Sequence, residues 1–354
     1  MNTWGTRIKV SIFGESHGGA IGAVVDGIPS GLALDTEKIE RGMQRRAPGR
    51  NKLSTPRREC DSVEILSGVC SGVTSGTPIC GIIRNENTRS GDYLKGIIRP
   101  GHADYTGFVK YGESHDFRGG GHFSGRITAG LVFAGELARQ VLSKHGIVIG
   151  SHIRSVAAIR EKSFLDCELT EELLCGLAEK DFPTMDAERG EDMQKAILAA
   201  SAERDSVGGI IECAALGVSA GVGEPFFESV ESKAASLLFS VPAVKGVEFG
   251  RGFGLADMRG YDANDEFCTD GERVFTKTNN NGGINGGISN GMPIVFSAAV
   301  KPTPSIAKKQ NTVNLEKMEN CELEIKGRHD PCIVQRAAVV AESCMALALL
   351  DLGA

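Results

Sequence analysis

The chain has 354 residues, of which 41% are hydrophobic, 24% charged and 6% aromatic, with 46 glycines and a net charge of -6. That is an ordinary globular composition with enough apolar surface for a sizeable core, and the negative balance excludes nucleic-acid binding by bulk electrostatics. No stretch approaches the ~18 apolar residues of a membrane span, and the N-terminus lacks the apolar run of a signal peptide. The expectations are therefore a cytoplasmic location and no nucleic-acid or membrane partner. The ten cysteines form no CxxC pair and no Cys/His ligand spacing. This predicts no metal site and free, mostly buried thiols in a reducing compartment.

Residues 7–13 (RIKVSIF) alternate as a strand does, and 20–26 (AIGAVVD) read as the returning strand. Between them FGESHGG holds His17 in a glycine-flanked turn. Such a histidine is either a surface residue or a general acid–base carried by a rigid strand. Asp35 to Arg46 reads as a helix with Asp35 near its N-cap. The block that follows carries seven cations and no acid: Arg41, Arg45, Arg46, Arg50, Lys52, Arg57 and Arg58. Pro48-Gly49 and Pro56 make most of it loop. Crowded like charges repel unless an anion neutralises them, and guanidinium forks suit phosphate and carboxylate, so the block predicts a small polyanionic ligand. Nucleic acid is the rival occupant, but it would need a longer basic stripe and stacking aromatics. Residues 62–84 read as strands joined by glycine turns.

The stretch from Arg99 to Gly130 gathers His102, His115 and His122, four basic residues (Arg99, Lys110, Arg118, Arg126) and Gly119-Gly120-Gly121. Ser124 is a plausible N-cap for the helix after it, and a glycine loop feeding a helix N-terminus is a ready anion site. Arg126 to His145 reads as a helix apolar nearly all round and therefore buried. Gly130 and Gly135 cost it about 1 kcal/mol each in propensity, which predicts close approach by another backbone; Gly146 ends it.

Residues 147–160 read as strand, 170–180 and 187–204 as helices, 208–217 as strand, 228–240 as helix and 241–253 as loop and strand. TNNNGGINGGISNGMP (278–293) holds five asparagines and five glycines. It is either a flexible low-complexity loop or a loop that a cofactor orders through its backbone N–H groups. PIVFSAAV after it reads as a buried strand. GRHDPC (327–332) sets Arg328, His329 and Asp330 at the entrance of a helix, Arg336–Leu352, that is apolar all round and belongs in the core. An aspartate there is a cap or a site residue. No linker and no tandem repeat divides the chain, so one domain spanning 1–354 is expected.

Ten blocks in register resemble the chorismate synthase family: FGESHG (13–18), RRAPGRNK (45–52), RRE (57–59), RPGHADY (99–105), KYG (110–112), RGGG (118–121), AVKGVE (243–248), GGINGGIS (282–289), KPT (301–303) and GRHDPC (327–332). The resemblance covers nearly the whole chain. It implies an α+β fold in a single large domain, with a helical layer sandwiched between antiparallel β-sheets, and typically a homotetramer. It implies a carbon–oxygen lyase that eliminates phosphate, trans-1,4, from 5-enolpyruvylshikimate 3-phosphate to give chorismate, the last common step of aromatic amino-acid biosynthesis. Reduced FMN is required although the reaction is redox-neutral, and NADPH is a possible flavin reductant.

By the same resemblance His17 protonates the leaving phosphate, His102 protonates or supports the reduced flavin, and Asp330 assists removal of the ring hydrogen. Arg46, Lys52, Arg57, Arg126 and Arg328 are the implied anion clamps, with Arg46 and Lys52 also at positions associated with NADPH. Implied FMN contacts are His122, Phe123, Ser124, Ala243, Gly286, Lys301, Pro302, Thr303, Pro304, Ser305 and Arg328. The chain departs from the family at RGGGHFSGRIT, where RGGGRSSARET is usual, so His122 stands for an arginine and Ile127 for a glutamate. Pro242 also replaces the usual asparagine. His122 can donate to a phosphate only while protonated or in one tautomer, which predicts a pH-dependent flavin affinity. The alternative is a flavin-dependent oxidoreductase acting on a small polyanionic substrate, yet no GxGxxG follows a strand. A non-catalytic anion-binding or nucleic-acid-binding protein would not need His17, His102 and Asp330.

Overall fold

The computed structural model describes residues 1–49, 51–55, 59–86, 95–325 and 329–354. Strands β1 (Thr3–Trp4), β2 (Lys9–Gly14), β3 (Ala20–Asp26), β4 (Glu64–Ser67) and β7 (Ile79–Arg84) form an antiparallel sheet in the order β1-β2-β3-β7-β4; β5 (Val69–Cys70) and β6 (Val73–Thr74) make a ribbon between β4 and β7. The period-2 alternation of β3 sends Ile21, Ala23 and Val25 to one buried face, where Val25 pairs with Val10 of β2. The second sheet holds β8 (Val148–Val156), β9 (Ile159–Arg160), β10 (Gly209–Leu216), β11 (Val244–Phe249) and β16 (Ile294–Val300), antiparallel throughout, in the order β11-β16-β10-β8-β9. Three hairpins surround it: β12 (Phe267–Thr269) with β13 (Val274–Thr276), β14 (Ile284–Asn285) with β15 (Ile288–Ser289), and β17 (Gln310–Asn314) with β18 (Glu319–Leu323).

The helices are α1 (Thr36–Arg46), α2 (Asp104–Tyr111), α3 (Thr128–Ser143), α4 (Glu171–Glu179), α5 (Ala187–Ala202), α6 (Val230–Ser240), α7 (Gly260–Ala263) and α8 (Val334–Leu352). Asp35 caps α1 as expected, its carboxylate accepting from Lys38 N at 3.0 Å. α3 packs on β2, β3 and β7 of the first sheet and, on its other side, along α8; α8 lies on β8 and β10 of the second. A helical layer thus separates two antiparallel sheets, the α+β arrangement the resemblance implied. Sandwiching explains why α3 and α8 carry apolar residues all round: neither has a solvent face. The helical glycines admit the neighbours expected of them. A Cβ on Gly130 would stand 2.8 Å from the carbonyl of Gly22 in β3, and one on Gly135 would stand 2.6 Å from Cα of Ser343 in α8. Among the described residues no helix is long and apolar enough to cross a membrane.

Charge is buried in this layer. Arg45 of α1 donates two bonds of 2.7 Å to Glu342 of α8, Arg139 of α3 donates a third of 2.7 Å, and Ser151 of β8 a fourth of 2.7 Å. Burial pushes the Glu342 carboxyl up, but Arg45 and Arg139 outweigh it and hold it at about 2.

Four expectations need correction. α3 begins at Thr128, because the three glycines take positive φ and the chain passes through 3-10 turns at Arg118–Phe123 and Gly125–Ile127 first; Ser124 caps the second of these. The sequence reading did not anticipate α2, whose DYTGFVKY has a central glycine; Gly107 is there because the ring of Phe123 packs on it. Of the ten cysteines, all free, only Cys213, Cys332 and Cys344 are buried; Cys80 lies on β7 between the buried Ile79 and Gly81, and the others fall on small hairpins, loops and the outer helix α4. The Asn/Gly loop is ordered from within: Asp265 accepts from Thr278 Oγ1 and from the backbone N–H groups of Asn280 and Asn281 at 2.7–2.9 Å.

Candidate active site

A cavity of about 870 Å³ opens where the first sheet, the N-terminal approach to α3, and the 301–305 and 329–337 segments meet. Its wall is organised by the glycine loop. Gly119, Gly120 and Gly121 have φ of 59, 84 and 52°, a region that side-chain-bearing residues avoid. A Cβ on Gly119 would stand 2.6 Å from Nε2 of His17, and one on Gly120 would stand 2.9 Å from Cε1 of His102. The glycines therefore let two histidines from different segments close on adjacent residues of one loop. The His17 turn is stapled there by Ser16 N donating to Gly121 O at 3.1 Å. His102, Ser16 and Gly119 line the cavity, whereas His17 is flanked by lining residues without being one.

Arg46, at the end of α1, and Arg126 converge on Asp61. Arg46 Nε donates to Asp61 Oδ2 at 2.7 Å, Arg46 Nη2 donates to the same oxygen, and Arg126 Nη1 donates to Oδ1. Both arginines are buried and both line the cavity. The sequence reading sought an external anion for this basic block, and part of that role is filled internally by Asp61. Burial lowers the Arg46 guanidinium to about 10; Asp61 opposes this, while Arg336 and Arg126 add to it. Asp61 is driven up by burial, but Arg46 and Arg126 overcome that and hold it below the usual carboxylate range.

Asp330 does not cap α8. Its Oδ1 accepts from Thr55 N at 2.8 Å and its Oδ2 from Arg336 Nη1 at 2.5 Å, while Arg336 Nε donates to Arg46 O at 2.8 Å. This chain of bonds joins Asp330 to the Arg46 corner, and Asp330, Arg336 and Thr55 all line the cavity.

On the opposite wall, Arg99 donates to Asp104 through Nε and Nη2 at 2.8 and 2.7 Å and to Ser305 Oγ at 3.3 Å, and Lys301 Nζ donates to Gly101 O at 2.5 Å. Burial pushes the Asp104 carboxyl up, but hydrogen bonds from Arg99 and His102 hold it well below the ordinary range. Lys301, Thr303, Pro304, Ser305, Ala243 and the run His122–Ser124 line the cavity. His122 Nδ1 lies 2.8 Å from Gly14 O. A carbonyl only accepts, so Nδ1 carries a proton.

Of the residues expected at a site, His102, Arg46, Arg126, Asp330, His122, Phe123, Ser124, Ala243, Lys301, Thr303, Pro304 and Ser305 therefore share one cavity. Lys52 is exposed, and neither it, Pro302 nor Gly286 is among the lining residues; Gly286 sits at the β14–β15 turn. Arg57 and Arg328 lie outside the described residues. Sequence reasoning missed Asp61, Asp104, Thr55 and Arg336. Asp104 carried a signal, two residues beyond His102; the pairing of Asp61 with two arginines 15 and 65 positions away carried none.

The family model described as chorismate synthase matches residues 8–353. The chain belongs to the chorismate synthase family. It is 45% identical over 99% of its length to a chorismate synthase of Dehalococcoides mccartyi strain BAV1, covering 96% of that protein. With a chorismate synthase of Methanocaldococcus jannaschii it shares 46% identity, again over 99% of this chain and 96% of the relative. A crystal structure of chorismate synthase superposes with a TM-score of 0.77 at 30% identity, over 98% of this chain and 92% of that one. Membership of the chorismate synthase family makes the chain an enzyme of aromatic amino-acid biosynthesis with a small-molecule substrate.

Proposed function

We propose that the chain converts 5-enolpyruvylshikimate 3-phosphate to chorismate by trans-1,4-elimination of phosphate, with reduced FMN as its cofactor. The observation that carries this reading is the meeting of His102, Arg46, Arg126 and Asp330 on one cavity in a chain of this family. The cavity's residues also fit a phosphorylated flavin. Thr303 Oγ1 is buried with no hydrogen-bond partner among the described residues, next to the cation of Lys301 and the hydroxyl of Ser305. Lys301, Thr303–Ser305, Ala243 and His122–Ser124 would hold the group. When bound there, reduced FMN would supply transient electron donation that eases phosphate loss without net redox change.

The protein's own residues do the rest. Arg46 and Arg126 receive a substrate with two carboxylates and a phosphate. The phosphate leaves with the C–O electron pair and takes a proton from His17. The ring C–H pair becomes the new double bond, and Asp330, held by Thr55 N and Arg336, assists departure of that hydrogen as a proton. His102 holds a proton at the flavin side.

The deciding experiment is an anaerobic assay with the substrate and chemically reduced FMN. Equimolar chorismate and phosphate with no net flavin oxidation is the expected result. Stoichiometric flavin oxidation instead would move the chain to the oxidoreductase reading. A repeat with oxidised FMN and NADPH tests whether the protein reduces its own flavin. The reading also includes a cytoplasmic homotetramer, checked by cell fractionation and by light scattering, for which a mass four times the 37.5 kDa chain is expected.

A further inference from the structure

We propose that Asp104 is a positioning residue for His102: it keeps the proton on Nδ1 and leaves Nε2 as the nitrogen that exchanges protons at the cavity. The tautomer does not depend on the reaction; what the exchanged proton does rests on the function proposed above.

His102 Nδ1 lies 2.6 Å from Asp104 Oδ1 and 3.1 Å from Arg99 Nη2. A guanidinium nitrogen has no lone pair to offer, so Nδ1 either accepts from Arg99 or donates to Asp104. In the first arrangement two lone pairs face each other across 2.6 Å with no proton between them. The second satisfies every group, because Arg99 Nη2 already donates to the same Oδ1 at 2.7 Å while Arg99 N and Nε share Oδ2 at 2.9 and 2.8 Å. The hydrogen bond made by one ring nitrogen fixes the state of the other.

The far edge of the ring faces the glycine loop. A Cβ on Gly120 would stand 3.0 Å from Nε2, so only glycine lets that nitrogen sit at the loop. Arg99, His102 and Asp104 have side chains 8, 14 and 12% exposed, which leaves water little chance to replace the Asp104 bond. Arg99 is itself tied to Ser305, and Lys301 to Gly101, so the ring's orientation is referred to the 301–305 segment. The charged groups around the ring are Arg99 and Asp104 from its own segment and Lys301 across from it. Arg99 neutralises Asp104 as it holds it, so Asp104 stays an acceptor and does not take the proton from the ring.

The test uses the full chain labelled with 15N-histidine at pH 8. The His102 ring signals are identified as those that vanish in His102→Gln. The wild type is expected to show Nδ1 protonated and Nε2 bare. In Asp104→Asn the carboxamide can turn its NH2 toward Nδ1, and the neutral ring is expected to move to Nε2–H. kcat should then fall about 100-fold, with KM for 5-enolpyruvylshikimate 3-phosphate changed by less than about threefold. Asp104→Glu should restore Nδ1–H and part of kcat. A wild-type ring protonated on Nε2, or an Asp104→Asn ring still protonated on Nδ1, overturns the proposal. If Asp104→Asn does not fold, the wild-type spectrum alone decides. If the wild type makes no chorismate, the proposed reaction fails while the tautomer result still stands or falls by itself.

Discussion

Arg45 and Arg46 are neighbours on one helix, yet each is held by a different buried carboxylate, Glu342 in the helical layer and Asp61 at the cavity. Arg45 joins Arg139 on Glu342 inside the helical layer, where four donors converge on one carboxylate. Burial works against the charge of Arg139, but Glu136 and Glu342 overcome it and raise its guanidinium above the normal value. Arg46 shares Asp61 with Arg126, which also reaches Glu59 at 3.8 Å; burial, with Arg336 and Arg126 close by, lowers the Arg46 guanidinium to about 10 against the pull of Asp61. Most of that depression is the cost of keeping the charge out of water, which Asp61 only partly offsets. The core arginine has its counter-charge supplied by the fold. The cavity arginine is held in place but under-neutralised, which is the condition of a cation waiting for an anionic ligand.

The largest effect should come from opening the closed cluster. Glu342→Ala leaves Arg45 and Arg139 buried without their carboxylate and should cost about 3–5 kcal/mol of stability in urea unfolding; a loss under about 1 kcal/mol would show that water reaches the cluster. In acid the same cluster predicts a direction. The folded carboxyl of Glu342 lies near 2, below the ordinary glutamate value of 4.5, so its contribution is fully present above 4.5 and is lost as pH falls through about 2. Glu342→Gln should flatten this acid limb of stability. Arg46→Met should do the reverse of Glu342→Ala, lowering kcat/KM about 100-fold while costing less stability, since Asp61 keeps Arg126; equal damage to both would erase the contrast between the two arginines. The smallest effect concerns His122. With Nδ1 donating to Gly14 O, its Nε2 offers a proton to a phosphate only when the ring is cationic. The Kd for FMN should rise about three- to tenfold from pH 6 to pH 8 and become flat in His122→Arg; a flat wild-type profile sinks the idea.

The fold was largely legible from pattern. α1, β3, β10 and β16 were readable from a regular apolar pattern, and α3 and α8 from long runs that are apolar all round. α2 and the hairpin β12–β13 were not, since DYTGFVKY and the exposed FCT and VFT carry little burial signal. At the site, block order singled out His102, Asp330 and the 301–305 segment, and the structure brings His102, Asp330 and four of those five segment residues to one cavity. Block order could not divide Arg45 from Arg46. Adjacent helical residues point about 100° apart, but which carboxylate each meets is decided by Asp61 and Glu342, 15 and 297 residues away. The asparagine loop taught the same lesson, its partner being Asp265 within the chain.

The position of α8 in chain order has a consequence for biogenesis. It is synthesised after α1, α3 and both sheets, yet it is the element against which α3 and the second sheet bury themselves. Until it docks, the nascent protein displays the α8-facing side of α3 and the apolar inner face of the second sheet, and Arg45 and Arg139 lack the carboxylate that meets them. Such an intermediate is sticky, so recovery of the enzyme should be limited by crowding and holdase supply during synthesis more than by the stability of the finished fold.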